Sequence, residues 1–217
     1  MDISILKWFH EVFHSQMWLN YIMKYVTYIG EFAIGAILCA VVLLIFKKTR
    51  WAGVAVAIAF VINVLIVNII LKLSVNRARP WQAYPDLGFQ EFHNAIGVRE
   101  PTDSSFPSGH TASLFAAAVA LVMYYKVKGL PALAVAFVVA LSRIYLCMHF
   151  PTDVLGGMLI GSACGVAGYY LMKPLKKFLL KKLPWFGIDD TKKSEELSEP
   201  SDAAENGGAG EQNDETK

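Results

Sequence analysis

Residues 51–80 read WAGVAVAIAFVINVLIVNIILKLSVNRARP, an apolar stretch that ends in a group of basic residues. No charged residue interrupts this stretch between Trp51 and Leu71. A helix rises about 1.5 Å per residue and the hydrocarbon core of a bilayer is about 30 Å thick, so a run of this length crosses the membrane once. The sequence therefore predicts a transmembrane helix over Trp51–Leu73, with Lys72 and Arg79 near its end.

Four further apolar runs flank this one. They are Tyr25–Phe46, Thr111–Tyr125, Leu130–Met148 and Val154–Met172. Because 55% of the 217 residues are apolar, and a soluble domain rarely carries several runs of this length, we predict an all-α polytopic membrane helix bundle with about five transmembrane helices. The expected partner is therefore the lipid bilayer. The net charge is only +2, so we expect no binding to nucleic acid.

The two ends of the chain differ from its middle. In residues 1–20 apolar side chains such as Leu6 alternate with polar ones such as Lys7, which predicts an amphipathic helix in the membrane interface, with a helix packed on the soluble side as the alternative. We expect residues 21–175 to form the membrane-embedded domain and residues 176–188 a basic juxtamembrane segment. Residues 189–217 are too polar to bury a core and should form a disordered acidic tail.

Clusters of lysine and arginine predict the orientation in the membrane. They follow the first, third and fifth apolar runs, so they share one side if each run crosses once, and such clusters mark the cytoplasmic side. The clusters are Lys47, Lys48 and Arg50; Lys126 and Lys128; and Lys173, Lys176, Lys177, Lys181 and Lys182. We therefore expect a plasma-membrane protein with a cytoplasmic tail and with residues 74–107 and 149–153 outside.

Two polar motifs begin and end the predicted external segment. The first is K-x6-RP, from Lys72 to Pro80, which places two cations at a membrane boundary. Ionisable residues at that depth are costly and mark functional sites, although snorkelling would also explain them. The second is PSGH at residues 107–110, where the start of a helix offers free N–H groups and a dipole that bind anions. A plain helix cap is its alternative.

A third motif, SR-x5-H-x3-D, runs from Ser142 to Asp153. Its spacing places His149 just before a helix and Asp153 in the first turn, so the carboxylate can reach one imidazole nitrogen. Such a carboxylate fixes the tautomer and leaves the other nitrogen free to attack. A lone pair of this kind is common in helices, but all three motifs on one membrane face favour an anion-binding catalytic site.

Together these motifs resemble the signature of the type 2 phosphatidic acid phosphatase superfamily, which also includes bacterial lipid-diphosphate phosphatases and vanadium haloperoxidases. The chain matches K-x6-RP, PSGH and SR-x5-H-x3-D without a substitution, within about residues 20–175. The resemblance implies metal-independent hydrolysis of a lipid phosphate or diphosphate through a phosphohistidine. It favours undecaprenyl diphosphate as substrate, with phosphatidylglycerophosphate or phosphatidate as the alternative.

The resemblance also implies a role for each motif residue. His149 corresponds to the nucleophile, Asp153 to the residue that orients it, and His110 to the general acid. The residues implied to bind phosphate are Lys72, Arg79, Ser108, Gly109 and Arg143. Phosphoryl transfer requires charge stabilisation and in-line geometry above all, and these residue types supply both.

Other chemistries remain open at this point. His110, His149 and Asp153 have the composition of a two-histidine, one-carboxylate metal site, but the neighbouring cations would repel a divalent ion, so we expect no metal and no cofactor. Haloperoxidase chemistry needs vanadate and a soluble setting. A transporter or scaffold without catalysis would keep the membrane spans but has no need of the complete motif set.

Two expectations concern polar residues in and near the membrane. Burying the charge of Glu31 against lipid would cost about 2–3 kcal/mol or more, so we expect it to face the catalytic cavity and, with Ser142, to support the site. Asn63 and Asn68 should link helices by hydrogen bonds.

Two further expectations concern packing and the external segment. Gly157, Gly161 and Gly165 recur every four residues, which predicts close helix packing within the chain or, alternatively, a homodimer face. Residues 74–107 should form either a lid with its aromatic residues at headgroup level or a simple spacer.

Overall fold

The structure is a computed structural model that describes residues 2–28 and 34–182. Its helices are α1 (Asp2–Phe13), α2 (Met17–Tyr28), α3 (Ile34–Ile45), α4 (Arg50–Val64), α5 (Lys72–Val75), α6 (Pro80–Ala83), α7 (Phe89–Ile96), α8 (Gly109–Tyr125), α9 (Leu130–Tyr145) and α10 (Pro151–Lys182). A π-helical segment, Leu65–Leu71, joins α4 to α5, and 3-10 turns occupy Pro85–Leu87 and Lys126–Gly129. The predicted all-α class is confirmed.

Among the described residues, three stretches are long and apolar enough to cross a bilayer: Arg50–Ala83, Gly109–Tyr145 and Pro151–Lys182. Gly35–Ile45 is a shorter apolar helix. The second stretch contains two helices, α8 and α9, which are joined by the 3-10 turn at Lys126–Gly129. The membrane bundle is thus confirmed, while the number of five spans stays a prediction.

Some sequence expectations fall outside the described residues. These are residues 29–33 of the first predicted run, which include Glu31, and the acidic tail at residues 189–217. The proposed role of Glu31 beside the catalytic cavity therefore stays a prediction.

Glycines allow α10 to lie directly against α8. A Cβ atom on Gly157 would lie 2.7 Å from the carbonyl oxygen of Ser108, and one on Gly165 would lie 2.7 Å from that of Ala116. Gly161 is buried between them. This stripe is therefore an intramolecular packing face. The alternative of a homodimer through Gly157, Gly161 and Gly165 is not supported, because the backbone of α8 already covers them.

Residues 74–107 fold into a compact cover over one end of the bundle. Trp81 of α6 and Phe89 and Phe92 of α7 are buried in an apolar core that includes Leu6 of α1 and Tyr145 of α9. These three rings pack into the protein and do not face lipid headgroups directly; the expected position of the segment at headgroup level stays a prediction. α1 contributes its apolar side to the same core.

The helix order brings the three motifs to one end of the bundle. α4 leads through the π-helical segment to Lys72, α8 begins at Gly109, and His149 lies in the turn between α9 and α10. At the opposite end, Lys176 of α10 lies 5.4 Å from the ring of Trp51 at the start of α4. The lysine clusters as far as Lys177 and the three motifs therefore occupy opposite ends of these helices.

We expect Gly165→Leu to lower the stability of the bundle. The larger side chain would overlap the backbone of α8, and overpacking of this kind costs about 1–3 kcal/mol. The matched control is Ala163→Leu, at an exposed position of the same helix. Thermal unfolding in detergent should show a lower midpoint for Gly165→Leu only; equal midpoints in the two variants would contradict the packing described here.

Candidate active site

His149 is 1% exposed and lies in the turn between α9 and α10. Its Nδ1 is 2.8 Å from the carbonyl oxygen of Ser105. Because a carbonyl can only accept, Nδ1 carries the proton and Nε2 carries the lone pair. Burial, followed by the charges of Arg79, Arg143 and Lys72, lowers the pKa of His149 well below its ordinary value. The imidazole is therefore neutral at neutral pH, as a nucleophile must be.

Asp153 is fully buried in the first turn of α10, and hydrogen bonds hold both of its carboxylate oxygens. Oδ2 accepts from Ser105 Oγ at 2.5 Å and from the backbone N–H of Phe150 at 3.0 Å. Oδ1 accepts from Arg77 Nη1 at 2.5 Å. His149 Nδ1 lies 3.7 Å from Oδ2, beyond hydrogen-bonding distance. The carboxylate thus positions the imidazole through Ser105, an intermediary that the sequence analysis missed.

Two of the predicted phosphate-binding cations lie beside this imidazole. Arg79 has a side chain that is 3% exposed, and its Nη1 is 3.2 Å from His149 Nε2. Lys72 Nζ lies against the first residue of α8, so close that a Cβ atom on Gly109 would be 3.3 Å from it. Lys72 and Arg79 both form ion pairs with Asp103. Residues of the K-x6-RP motif therefore lie next to residues of both other motifs.

The remaining predicted residues approach the same point from other helices. Arg143 of α9 is buried, and its Nη1 donates to Thr27 Oγ1 of α2 at 2.6 Å. His110, in the first turn of α8, lines the same cavity as His149. The backbone N–H of Ser108 donates to the carbonyl oxygen of Asp153 at 3.0 Å, which joins the PSGH motif to the third motif.

A family model described as the PAP2 superfamily matches residues 49–177, more than half of the chain. This chain belongs to the PAP2 superfamily. The matched range contains all three motifs and excludes α1, α2 and α3.

Similar proteins agree with this membership. The phosphatidylglycerophosphatase B of Bacillus subtilis is 31% identical over 160 residues, which are 67% of this chain and 71% of the relative. The undecaprenyl-diphosphatase BcrC of Bacillus subtilis is 27% identical over 183 residues, 82% of this chain and 88% of the relative. A crystal structure described as the first transmembrane PAP2 type phosphatidylglycerolphosphate phosphatase from Bacillus subtilis superposes with a TM-score of 0.58 at 26% identity, covering 82% of this chain and 85% of that chain.

One expected support of the candidate site does not reach it. The hydroxyl of Ser142 is buried and donates to the carbonyl oxygen of Val139, one turn earlier in α9, at 2.7 Å. The prediction that Ser142 supports the catalytic residues is therefore wrong for its side chain. A helical serine can satisfy its hydroxyl on its own backbone, and sequence spacing cannot distinguish this from a contact in the site.

A cavity of about 1170 Å³ opens from the PAP2 motif residues and extends along α4. Lys72, Arg79, His110 and His149 line one part, and Phe60 and Asn63 line another. Asn63 is 3% exposed, and its Oδ1 accepts no hydrogen bond within the described part of the chain. The expectation that Asn63 links helices by such a bond is thus not met at this oxygen.

Arg77 connects α1 to the buried carboxylate of Asp153 in the candidate site. Beside its bond to Asp153, Arg77 Nη1 donates to Thr152 Oγ1 at 2.7 Å, and Nη2 donates to Asp2 Oδ2 at 3.0 Å. Thr152 Oγ1 also donates to Asp2 Oδ2 at 2.5 Å. Arg77 lies between Lys72 and Arg79 in the K-x6-RP motif, so its sequence position pointed to the site, whereas no sequence pattern pointed to Asp2.

We expect Arg77→Met to lower kcat with little change in KM. The substitution leaves Asp153 Oδ1 buried without its cation, and a misplacement of about 1 Å in a catalytic group can cost about 100-fold in rate. Arg77→Lys should recover part of the loss, since it restores the charge without the second nitrogen. The measurement is steady-state hydrolysis in detergent. A change confined to KM would show that Arg77 binds substrate instead.

Proposed function

We propose that this membrane hydrolase transfers the terminal phosphoryl group of a lipid phosphate or diphosphate to His149 and then to water. The observation that carries the proposal is the 3.2 Å contact between Arg79 Nη1 and His149 Nε2. It brings an anion-binding guanidinium and the imidazole lone pair to one point. Hydrolysis of lipid phosphates is also the reaction of this family of membrane phosphatases.

In the first step Nε2 of His149 attacks the phosphorus atom. The N–P bond forms while the bond from phosphorus to the leaving oxygen breaks. That oxygen is the lipid hydroxyl oxygen of a monophosphate or the bridging oxygen of a diphosphate, and His110 gives its proton to it. The hydrogen bond from Nδ1 to Ser105 keeps the attacking lone pair on Nε2 and accommodates the positive charge that the ring acquires. Asp153 holds Ser105 in place.

In the second step a water molecule attacks the phosphorus atom of the phosphohistidine. His110, now without its proton, accepts one from this water, the N–P bond breaks, and inorganic phosphate leaves. Lys72, Arg79 and Arg143 supply positive charge to the non-bridging oxygens in both steps. A preorganised charge of this kind contributes much of the acceleration in phosphoryl transfer.

Undecaprenyl diphosphate is our first candidate for the substrate. One support is the likeness to a relative named for that activity, over most of both chains. Another is the cavity along α4, which gives an apolar chain a path from the motif residues toward the membrane-spanning part of the helix. We place the site on the extracytoplasmic side, opposite the lysine clusters.

Phosphatidylglycerophosphate is a second candidate. Asn63 lines the same cavity as the motif residues, and its side-chain amide gives the wall a polar group with which a glycerol hydroxyl can form a hydrogen bond. A relative named for this activity is 31% identical. If this candidate is correct, Asn63→Leu should lower kcat/KM for phosphatidylglycerophosphate more than for undecaprenyl diphosphate.

Purified protein should release phosphate from members of a lipid-phosphate panel, and EDTA should leave the rate unchanged. The panel contains undecaprenyl diphosphate, phosphatidylglycerophosphate and phosphatidate in detergent. Loss of activity in EDTA that a particular metal restores would overturn the metal-independent mechanism. The ratio of kcat/KM among the lipids decides between the two candidate substrates.

His149→Ala should abolish phosphate release, and His110→Ala should reduce it by about 10²–10⁴-fold, the usual contribution of a general acid. Because the pKa of His149 is depressed, the ring stays neutral as the pH falls below about 6.5. The loss of rate that arises from its protonation should therefore appear only at lower pH. An unchanged rate in His110→Ala with an inactive His149→Ala would contradict the assigned acid.

A further inference from the structure

Asp103 lies between α7 and α8, five residues before the PSGH serine, and it contacts two cations of the candidate site. Its Oδ1 accepts from Arg79 Nη2 at 2.5 Å, and its Oδ2 forms an ion pair with Lys72 Nζ. Its backbone carbonyl accepts from Arg79 Nε at 2.9 Å. Asp103 thus contacts both cations of the K-x6-RP motif, although it belongs to none of the three motifs.

The carboxylate stands where the proposed mechanism requires phosphoryl oxygens. Arg79 directs Nη2 to Asp103 and Nη1 to His149, so the carboxylate and the imidazole share one guanidinium. Lys72, its other partner, lies over Gly109 at the start of α8, where the helix dipole also attracts an anion. A carboxylate has two acceptor oxygens of the kind that a phosphoryl group presents.

The charge of Asp103 persists at all relevant pH values. Burial alone would raise the pKa of its carboxyl, but the hydrogen bonds and charges of Lys72 and Arg79 outweigh burial and lower the pKa to about 2. The side chain is nevertheless 45% exposed. Rotation of the side chain can therefore release both cations to water while the backbone bond to Arg79 stays in place.

We propose that Asp103 sets the affinity that a ligand needs to occupy the phosphate site: it is an internal anion that competes with the substrate for Lys72 and Arg79. The inference rests on the proposed function, in which these two cations bind the phosphoryl group. A phosphomonoester or terminal diphosphate carries up to two negative charges on three oxygens, since its second pKa is near 6. It displaces a single carboxylate more readily than a phosphodiester does, because a diester carries one charge.

This competition has a clear use in a membrane. The bulk lipids of a bilayer are largely phosphodiesters, and they surround the enzyme in large excess over any lipid monophosphate. A site with fixed cations and no internal anion would bind their headgroups. An internal anion lowers the affinity of the site for every competing anion, so the weakly bound diesters leave the site largely unoccupied while the more highly charged group still binds; the same competition favours release of the product phosphate.

The test measures binding of inorganic phosphate and of dimethyl phosphate, a soluble diester, without turnover. Calorimetric titration is carried out on detergent-solubilised protein in the His149→Ala background. Adding Asp103→Asn, which keeps the shape and removes the charge, should tighten both ligands. A hydrogen bond to a charged group contributes enough for about 10- to 100-fold in affinity. The gain should be a similar factor for the two ligands, because each displaces the same carboxylate.

The opposite sign would overturn the proposal. If Asp103 only holds the two cations in position, Asp103→Asn will weaken the binding of both ligands or leave it unchanged. Asp103→Ser, which removes the charge with a smaller side chain, gives the same contrast if the asparagine variant does not fold. Asp86→Asn is the matched control, because Asp86 is an exposed acid of the same 74–107 segment; it should leave both affinities unchanged.

A further variant separates this inference from the proposed function. Lys72→Met should abolish phosphate binding if the cations form the phosphate site. Unchanged binding in Lys72→Met would refute the proposed site itself. Loss of binding in Lys72→Met, without tighter binding in Asp103→Asn, would refute only the role of Asp103.

Discussion

The geometry of the candidate site depends on the contacts of one buried carboxylate, that of Asp153. It accepts hydrogen bonds from Arg77, from Ser105 and from the backbone of Phe150, and its own carbonyl accepts from Ser108. Each of these donors comes from a different part of the chain or a different motif. An ionised carboxylate that is fully buried needs such partners, because an unpaired buried charge is strongly unfavourable. The hydrogen bonds that this one charge requires therefore fix the positions of Arg77, Ser105, Ser108 and Phe150 relative to each other.

Two kinds of packing bring these segments together. Within the bundle, glycines on α10 allow the helix to lie against the backbone of α8, which sets the start of α8 beside the start of α10. Above the bundle, an apolar core around Phe89 and Leu6 fixes the cover formed by residues 74–107. His93 of that cover is fully buried and hydrogen bonds to the carbonyl oxygen of Leu146 at 2.7 Å. The turn that carries His149 is thus supported from both sides.

The distribution of charge follows from the same arrangement. Cations from α5, from the link before α6 and from α9 gather near two imidazoles in a region of low exposure. Their repulsion is reduced by two carboxylates, Asp103 and Asp153, which occupy different positions. Asp153 is enclosed and serves the geometry of the imidazole, whereas Asp103 is half-exposed and can exchange its partners for water. The difference in exposure is the physical reason for assigning them different roles.

The sequence by itself determined the all-α membrane class, the three motifs and their clustering at one end, because long apolar runs and motif spacing are local properties. Only the tertiary structure decided which side chains meet. Ser105 between Asp153 and His149, Arg77 paired with Asp2 of α1, and Asp103 between Lys72 and Arg79 all join residues distant in the sequence. Ser142 shows the converse, since its place in a motif did not reveal that its hydroxyl bonds to its own helix. Hydrogen bonds between distant segments depend on the packing of the whole bundle, and no local pattern encodes them.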